Sequence, residues 1–200
     1  MKHSTHGLQR GYSMIEMMMA LVISVVAAAV AIPTTTNTIA DIKLRGAAAS
    51  FAGLVQQARL AAIQKNVSPG YVVCFGLPSG RGAYSEPLVL GSACDGYATG
   101  DLMVQFGGEA DQTSAPSGST PTKLDGSGSI LGWTGTSGNV SFNSRGLPCS
   151  ASSSSCSTNV NYVFYFSDTR AFGNKGWAAV SITSAGSPKV WFWSGSKWLD

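Results

Sequence analysis

Few side chains in this 200-residue chain are placed for covalent chemistry. Both histidines, His3 and His6, stand in the first six residues, so the rest of the chain has no imidazole. That excludes Ser-His and Cys-His nucleophilic catalysis and any His-liganded metal beyond them. Residues 76–82 are glycine-rich but lack the Lys-Ser/Thr ending of a phosphate loop, and they read as a turn. Asp95, Asp101, Glu109 and Asp111 have no EF-hand spacing and read as solvated loop acids rather than a calcium site. The chain is therefore expected to be no enzyme and to need no cofactor or metal.

Two sets of residues still require a role. The first is Glu16, the single charge in residues 12–32. As a helix at about 1.5 Å per residue, that stretch matches the roughly 30 Å hydrocarbon core of a bilayer. A carboxylate near the end of a membrane helix is costly without a partner. The second set is Cys74, Cys94, Cys149 and Cys156. No Cys-x-x-Cys occurs, so zinc is a poor reading, and an even count beyond an export segment reads as disulfides. Four cysteines allow three connectivities. The local pairs Cys74–Cys94 and Cys149–Cys156 are favoured because each closes a short loop across turn-rich sequence.

The elements that position these residues follow from composition and periodicity. The chain is 44% hydrophobic and only 12% charged, about half the usual charged share. Lys2 and Arg10 precede the apolar run with no acid among them, which places that end in the cytoplasm and the rest outside. Past Pro33, Thr34-Thr35-Thr36-Asn37-Thr38 is poor helix interior and marks a soft spot for a kink, or for a stop and a restart capped by Thr38-x-x-Asp41. Residues 39–65 then read as an amphipathic helix with Ala47, Phe51, Leu54, Val55, Ala58 and Ala62 on one face, ending at Asn66.

The remainder is β-rich. Candidate strands are 71–75, 88–90, 102–106, 140–142, 160–166, 178–183 and 189–193, with 184–188 as a hairpin loop. Residues 107–139 read as a long loop or irregular meander, and 150–157 as a serine-rich tip. The fold class is α+β, a long N-terminal helix packed on a C-terminal antiparallel β-rich head.

Gly11-Tyr12-Ser13-Met14-Ile15-Glu16 resembles the cleavage site of a type IV prepilin. In that family a membrane peptidase cuts after the glycine and methylates the new N-terminal amine. The resemblance implies cleavage between Gly11 and Tyr12 and N-methylation of Tyr12, where most members carry Phe. It implies that Glu16 serves subunit assembly, pairing with the Tyr12 amine of its own or a neighbouring chain, and that Pro33 is a helix proline. An ordinary signal peptide cut after Ala29-Val30-Ala31 would set Pro33 beside the cut and leave Gly11 and Glu16 unexplained.

Residues 54–66, with Arg59 and Asn66 before the first strand, are similar to the helix end of the GspH/FimT/FimU branch of minor pilins and pseudopilins. Asn143-Ser144-Arg145-Gly146 is a turn signal that recurs in that branch. The implied organisation is a leader 1–11, a membrane and filament-core helix 12–33, and a periplasmic head 34–200. The implied place is the inner membrane, single-pass, then a pilus or pseudopilus. The implied partners are the prepilin peptidase, other minor and major pilins or pseudopilins, and inner-membrane lipid. The implied function is that of a minor type IV pilin in pilus assembly and priming. The alternatives are a type II secretion pseudopilin and a DNA-binding minor pilin. For the last, Lys189, Trp191, Trp193, Lys197 and Trp198 interleave basic and aromatic residues at the C-terminus. DNA-binding members carry a Gly-Arg-x-Arg-like element there, whereas this chain ends Gly195-Ser196-Lys197-Trp198-Leu199-Asp200. Nucleic acid is not expected as a partner.

Overall fold

One helix, α1, runs from Met14 to Lys65. This is a computed structural model, and it describes residues 13–66, 69–78, 80–91, 94–108, 110–114, 116, 124, 133–135, 139–151, 156–157, 160–170 and 175–200. The stop and restart allowed for beyond Pro33 is not adopted. Pro33 lies inside the helix. The threonines after it stay helical by turning their hydroxyls back onto the backbone. Thr34 and Thr35 donate to the Ala31 carbonyl (2.8 and 2.9 Å), Thr36 to Pro33 (3.0 Å) and Thr38 to Thr34 (2.9 Å). Such back-bonds give each hydroxyl an acceptor within the helix, so the threonines are accommodated there. Thr38 is thus committed backwards and does not cap a new helix. The helix ends at Asn66, whose left-handed φ of 45° closes it.

Twelve strands follow among the described residues: β1 (Tyr71–Leu77), β2 (Gly80–Pro87), β3 (Leu102–Gln105), β4 (Asp111–Thr113), β5 (Trp133–Gly135), β6 (Val140–Phe142), β7 (Pro148–Ala151), β8 (Cys156–Ser157), β9 (Asn161–Thr169), β10 (Lys175–Ile182), β11 (Pro188–Trp193) and β12 (Trp198–Leu199). They form two sheets, ordered β3-β2-β1-β6-β7-β8 and β12-β11-β10-β9-β4, with β5 added parallel to β9. All other pairings are antiparallel.

Both sheets pack on the C-terminal half of α1. Its buried face is Leu44, Ala47, Ala48, Phe51, Leu54, Val55, Ala58 and Ala62, the expected stripe widened by Leu44 and Ala48. Phe51 is the hub. Its ring lies 4.9 Å from Phe75 of the first sheet, and 5.1 and 5.4 Å from Phe164 and Phe166 of the second. Alternation along β9 sends Tyr162, Phe164 and Phe166 to the helix, and Val163 and Tyr165 to the outer face with Ala179 and Leu124. The first sheet is also covered on both sides: Val72, Cys74, Tyr84 and Leu88 make a second core away from α1.

Two strand expectations change. The 76–82 segment is not only a turn: Gly80–Pro87 is a strand paired along β1. A Cβ on Gly82 would sit 2.4 Å from both Leu77 Cδ1 and the Val104 carbonyl oxygen, so glycine here permits close strand packing and is no loop signal. Conversely, 88–90 is not a strand. Leu88 is buried, but its N–H bonds the Gly70 carbonyl at 2.9 Å after β2 has ended. Within 107–139 the described residues include β4 and β5, both seated on β9.

Candidate functional site

The apolar run of α1, from Met14 to Ile32, is bare. Its large apolar side chains from Met14 to Ile32 are 61–86% exposed. A monomer in water would not keep so much apolar surface bare. The segment is long and apolar enough to cross a membrane, and none of it is buried. Glu16 stands in the first turn, next to the Ser13 N-cap. The Ser13 carbonyl accepts from the N–H groups of Glu16 (3.0 Å) and Met17 (3.2 Å). A carboxylate here is favoured by the helix dipole, which offsets part of its cost in an apolar layer. Asp41 is the next ionisable residue, so Glu16 is the one charge of the apolar half. Gly11 and Tyr12 lie outside the described residues.

Beyond the apolar run, a charge network ties α1 to the head. Asp41 accepts from Arg45 Nε (2.7 Å) and from Arg170 (3.0 Å), and Arg170 Nε also donates to Asp168 (3.1 Å). Burial pushes the Asp41 carboxyl up, but the hydrogen bonds and charges of Arg45 and Arg170 outweigh it and hold it below the usual carboxylate range. Nearer the other end of α1, Arg59 Nε donates to the Gly146 carbonyl at 3.1 Å. Gly186 of the β10–β11 hairpin closes over the same spot, where a Cβ would lie 2.8 Å from that oxygen. Arg59 therefore joins the helix to one turn of each sheet.

The cysteines pair as Cys74–Cys94 and Cys149–Cys156, with Cα separations of 5.7 and 5.2 Å. Both separations suit a disulfide. Beside the first lies Glu86, 7% exposed, which sequence reasoning passed over. Its Oε1 accepts from the Cys94 N–H at 2.8 Å. Burial pushes the Glu86 carboxyl up, and a hydrogen bond with Asp95 and the charges of Asp95 and Asp101 push the same way. Cys74, Glu86 and Cys94 lie close enough together to suggest a metal site, but the two sulfurs are bonded to each other. The only signal for Glu86 in the sequence is an acid within a strand, opposite an apolar partner strand.

Of the loop acids, Asp95 and Asp101 lie near Glu86, whereas Asp111 is engaged elsewhere. Asp101 accepts from the Ala98 N–H at 2.7 Å within its own loop, and Asp111 pairs with Arg81 at 3.4 Å. Glu109 lies outside the described residues.

The C-terminal aromatics divide as strand alternation requires. Phe192 turns toward α1, under the Arg45 guanidinium at 4.4 Å. Trp191 and Trp198 join the outer cluster, half-buried, and Trp193 meets Trp198 edge-to-face at 5.4 Å. Trp191 donates through Nε1 to the Ser181 hydroxyl at 2.8 Å. Lys189 covers the Trp191 ring and pairs with Asp200. The basic and aromatic residues thus engage one another.

Residues 7–32 match the family model for the prokaryotic N-terminal methylation motif. The match supports a type IV pilin-like protein, a structural subunit whose motif implies processing by prepilin peptidase and assembly with other pilins. No curated protein and no solved structure matches the chain.

Proposed function

We propose that this chain is a minor type IV pilin, of the GspH/FimT/FimU kind, that takes part in assembling and priming a pilus. The observation that carries the reading is the bare apolar run of α1, with Glu16 near its start, lying within the match to the methylation motif at residues 7–32. Surface of that kind is covered by lipid before assembly and by the same segment of neighbouring subunits after it. In this reading residues 1–11 are removed after Gly11, Tyr12 becomes the methylated N-terminus, and residues 34–200 form the periplasmic head. Pro33 and the threonines after it are the softest point of the helix in the filament. The carboxylate of Glu16 neutralises the Tyr12 amine of its own or a neighbouring chain. Opposite charges about 4 Å apart in a low-dielectric core offset much of their desolvation. Nucleic acid is not expected as a partner: Lys189, which lies over the Trp191 ring, is paired with Asp200.

The test has two parts. Mass spectrometry of the native protein is expected to find a chain beginning at methylated Tyr12, with Gly11→Val blocking the cut. Glu16→Ala is expected to be inserted and cleaved normally but depleted from sheared pili by tenfold or more, roughly 1.4 kcal/mol of lost assembly energy. Wild-type levels of the variant in pili would remove the assembly role. Intact pili and failed protein secretion in a deletion strain would instead assign the chain to a secretion pseudopilus.

A further inference from the structure

Where α1 packs on the head, it keeps a face that the head does not use. Ile42, Gly46, Ala49, Gly53, Gln56 and Leu60 follow one another in alternating steps of four and three residues, and all are exposed. Each precedes a buried residue of the stripe by two positions, about 200° around the helix, so this line stands opposite the stripe. Ile42 and Leu60 are 64% and 51% exposed, and a Cβ on Gly46 or Gly53 would meet nothing within 4 Å.

A helix lying on a protein surface turns its charged side chains away from the core. This helix does the reverse. Asp41 reaches aside to Arg170, Arg45 lies over the Phe192 ring, Arg59 donates to the Gly146 carbonyl, and the Lys43 stem runs along Gly107. All four charges flank the line and none stands on it. The same spacing continues back through Ile39, Thr35 and Ile32 into the apolar run as far as Met14, and Glu16 and Pro33 both fall off it. One uncharged seam with a repeat of 3.5 residues therefore extends along α1. Such a repeat drifts by about 20° per heptad on a straight helix, so two helices that keep it in contact coil left-handed around each other.

A second copy of this chain fits the seam. Two copies in one bilayer share their orientation, so their seams run parallel and in register. Because the seam stands opposite the buried stripe, a two-fold axis along it sets the two heads on opposite sides, clear of each other. Gly46, Ala49 and Gly53 let the backbones approach closely. Gln56 meets Gln56 of the second copy, a polar pair on the axis that fixes the register. In a parallel pair Arg45 faces Ser50, and Arg59 faces Gln64, of the second copy, so these flanking positions oppose no like charges.

We propose that this chain forms a parallel homodimer in the membrane, before any filament is built, through the uncharged seam of α1 from Met14 to Ile63. The dimer rests on the part of the functional reading that sets residues 14–32 in a bilayer, and not on the chain being a pilin.

The full-length protein in membranes of cells lacking the prepilin peptidase, where no filament forms, tests it. The native cysteines are bonded in pairs, so one introduced cysteine reports alone. After mild oxidation, Ala49→Cys, Gly53→Cys and Gln56→Cys are expected to give a covalent dimer. Ser50→Cys and Gln57→Cys, exposed but beside the seam, are expected to give about fivefold less. Ala49→Lys puts two like charges on the axis and is expected to abolish the Gln56→Cys crosslink while both native disulfides still form. Coexpressed Ala49→Lys and Ala49→Glu chains are expected to restore it. No crosslink, equal crosslinking at all five positions, or a crosslink that survives Ala49→Lys overturns the dimer. So does a crosslink found only in assembled filaments, which would assign the seam to filament packing. A seam-specific crosslink in a chain whose native N-terminus is not Tyr12 would uphold the dimer and remove the pilin reading.

Discussion

The two halves of α1 share one continuous helix and have opposite surroundings. From Leu44 to Ala62 a stripe of eight residues is buried under two sheets, while Lys43, Arg45 and Lys65 remain outside that stripe. From Met14 to Ile32 every side of the helix is apolar, apart from Glu16 and Ser24, and every side is bare. A helix that packs on a sheet needs one apolar stripe; a helix apolar all round needs surroundings apolar all round. The width of the apolar face distinguishes a segment that folds against its own chain from one completed by lipid or by other subunits.

The largest expected effect breaks this comparison if it fails. Phe51→Ala removes the ring that meets Phe75, Phe164 and Phe166, and is expected to cost the head about 3–5 kcal/mol. Val26→Ala, equally apolar but bare, is expected to leave head stability unchanged. Urea unfolding of the full chain in detergent, followed by tryptophan fluorescence, reads both. A comparable loss for Val26→Ala would mean that the two halves are energetically one unit.

Next come the disulfides, both of which belong to the covered region. Removing Cys74–Cys94 is expected to cost about 3 kcal/mol, and removing Cys149–Cys156 somewhat less, in the chain-entropy account of loop closure. The sequence separations are 20 and 7, and Cys74 is fully buried in the second core. Non-reducing peptide mapping identifies the pairs, and unfolding of the double-serine variants ranks them. The reverse ranking would place the stabilising crosslink at the serine-rich tip.

A smaller effect contrasts two acids of the head. Asp41 is held down by two arginines, whereas Glu86 is pushed above its ordinary 4.5 by burial and neighbouring acids. A raised carboxyl stabilises the fold only while it stays protonated. Its contribution is full below the unfolded value and is lost as pH rises through the folded value. Glu86→Gln, which mimics the protonated form, is therefore expected to stabilise the head at pH 7 and to have little effect at pH 4. Urea midpoints at the two pH values check this; a variant less stable at pH 7 would show that the Cys94 N–H needs the charge.

The smallest effect concerns helix propensity. A Cβ on Gly46 or Gly53 meets nothing within 4 Å, so neither glycine is required by packing in the isolated chain. Alanine at each is expected to add up to about 1 kcal/mol to head stability. A thermal melt measures the gain. A gain in the free chain accompanied by loss from pili would show that the bare Cα surface is reserved for a neighbour.

Local pattern made much of this protein legible. The apolar run, Glu16, the helix stripe and the strands around 71–75, 140–142, 160–166, 178–183 and 189–193 depend on periodicities of about 3.6 and 2 that tertiary context did not override. Other features stayed hidden because their cause is non-local. Gly80–Pro87 reads as a turn because glycine marks turns, yet Gly82 is small to let Leu77 and the β3 backbone approach. The threonines beyond Pro33 read as a helix break because propensity is summed without the hydroxyls that bond back to the preceding turn.

By itself the sequence determined that the chain begins with a membrane-length apolar segment under a prepilin-like motif, lacks histidine chemistry beyond that segment, and ends in a β-rich head. Those are properties of neighbouring residues, and neighbours are what a sequence lists. Only the tertiary structure decided that Glu86 sits beside the Cys74–Cys94 bond, that Arg59 reaches a turn of each sheet, and that the charges beside the uncharged seam of α1 turn to the head. Arg59 and Gly146 lie far apart along the chain, and their meeting is set by packing and not by any run of residues.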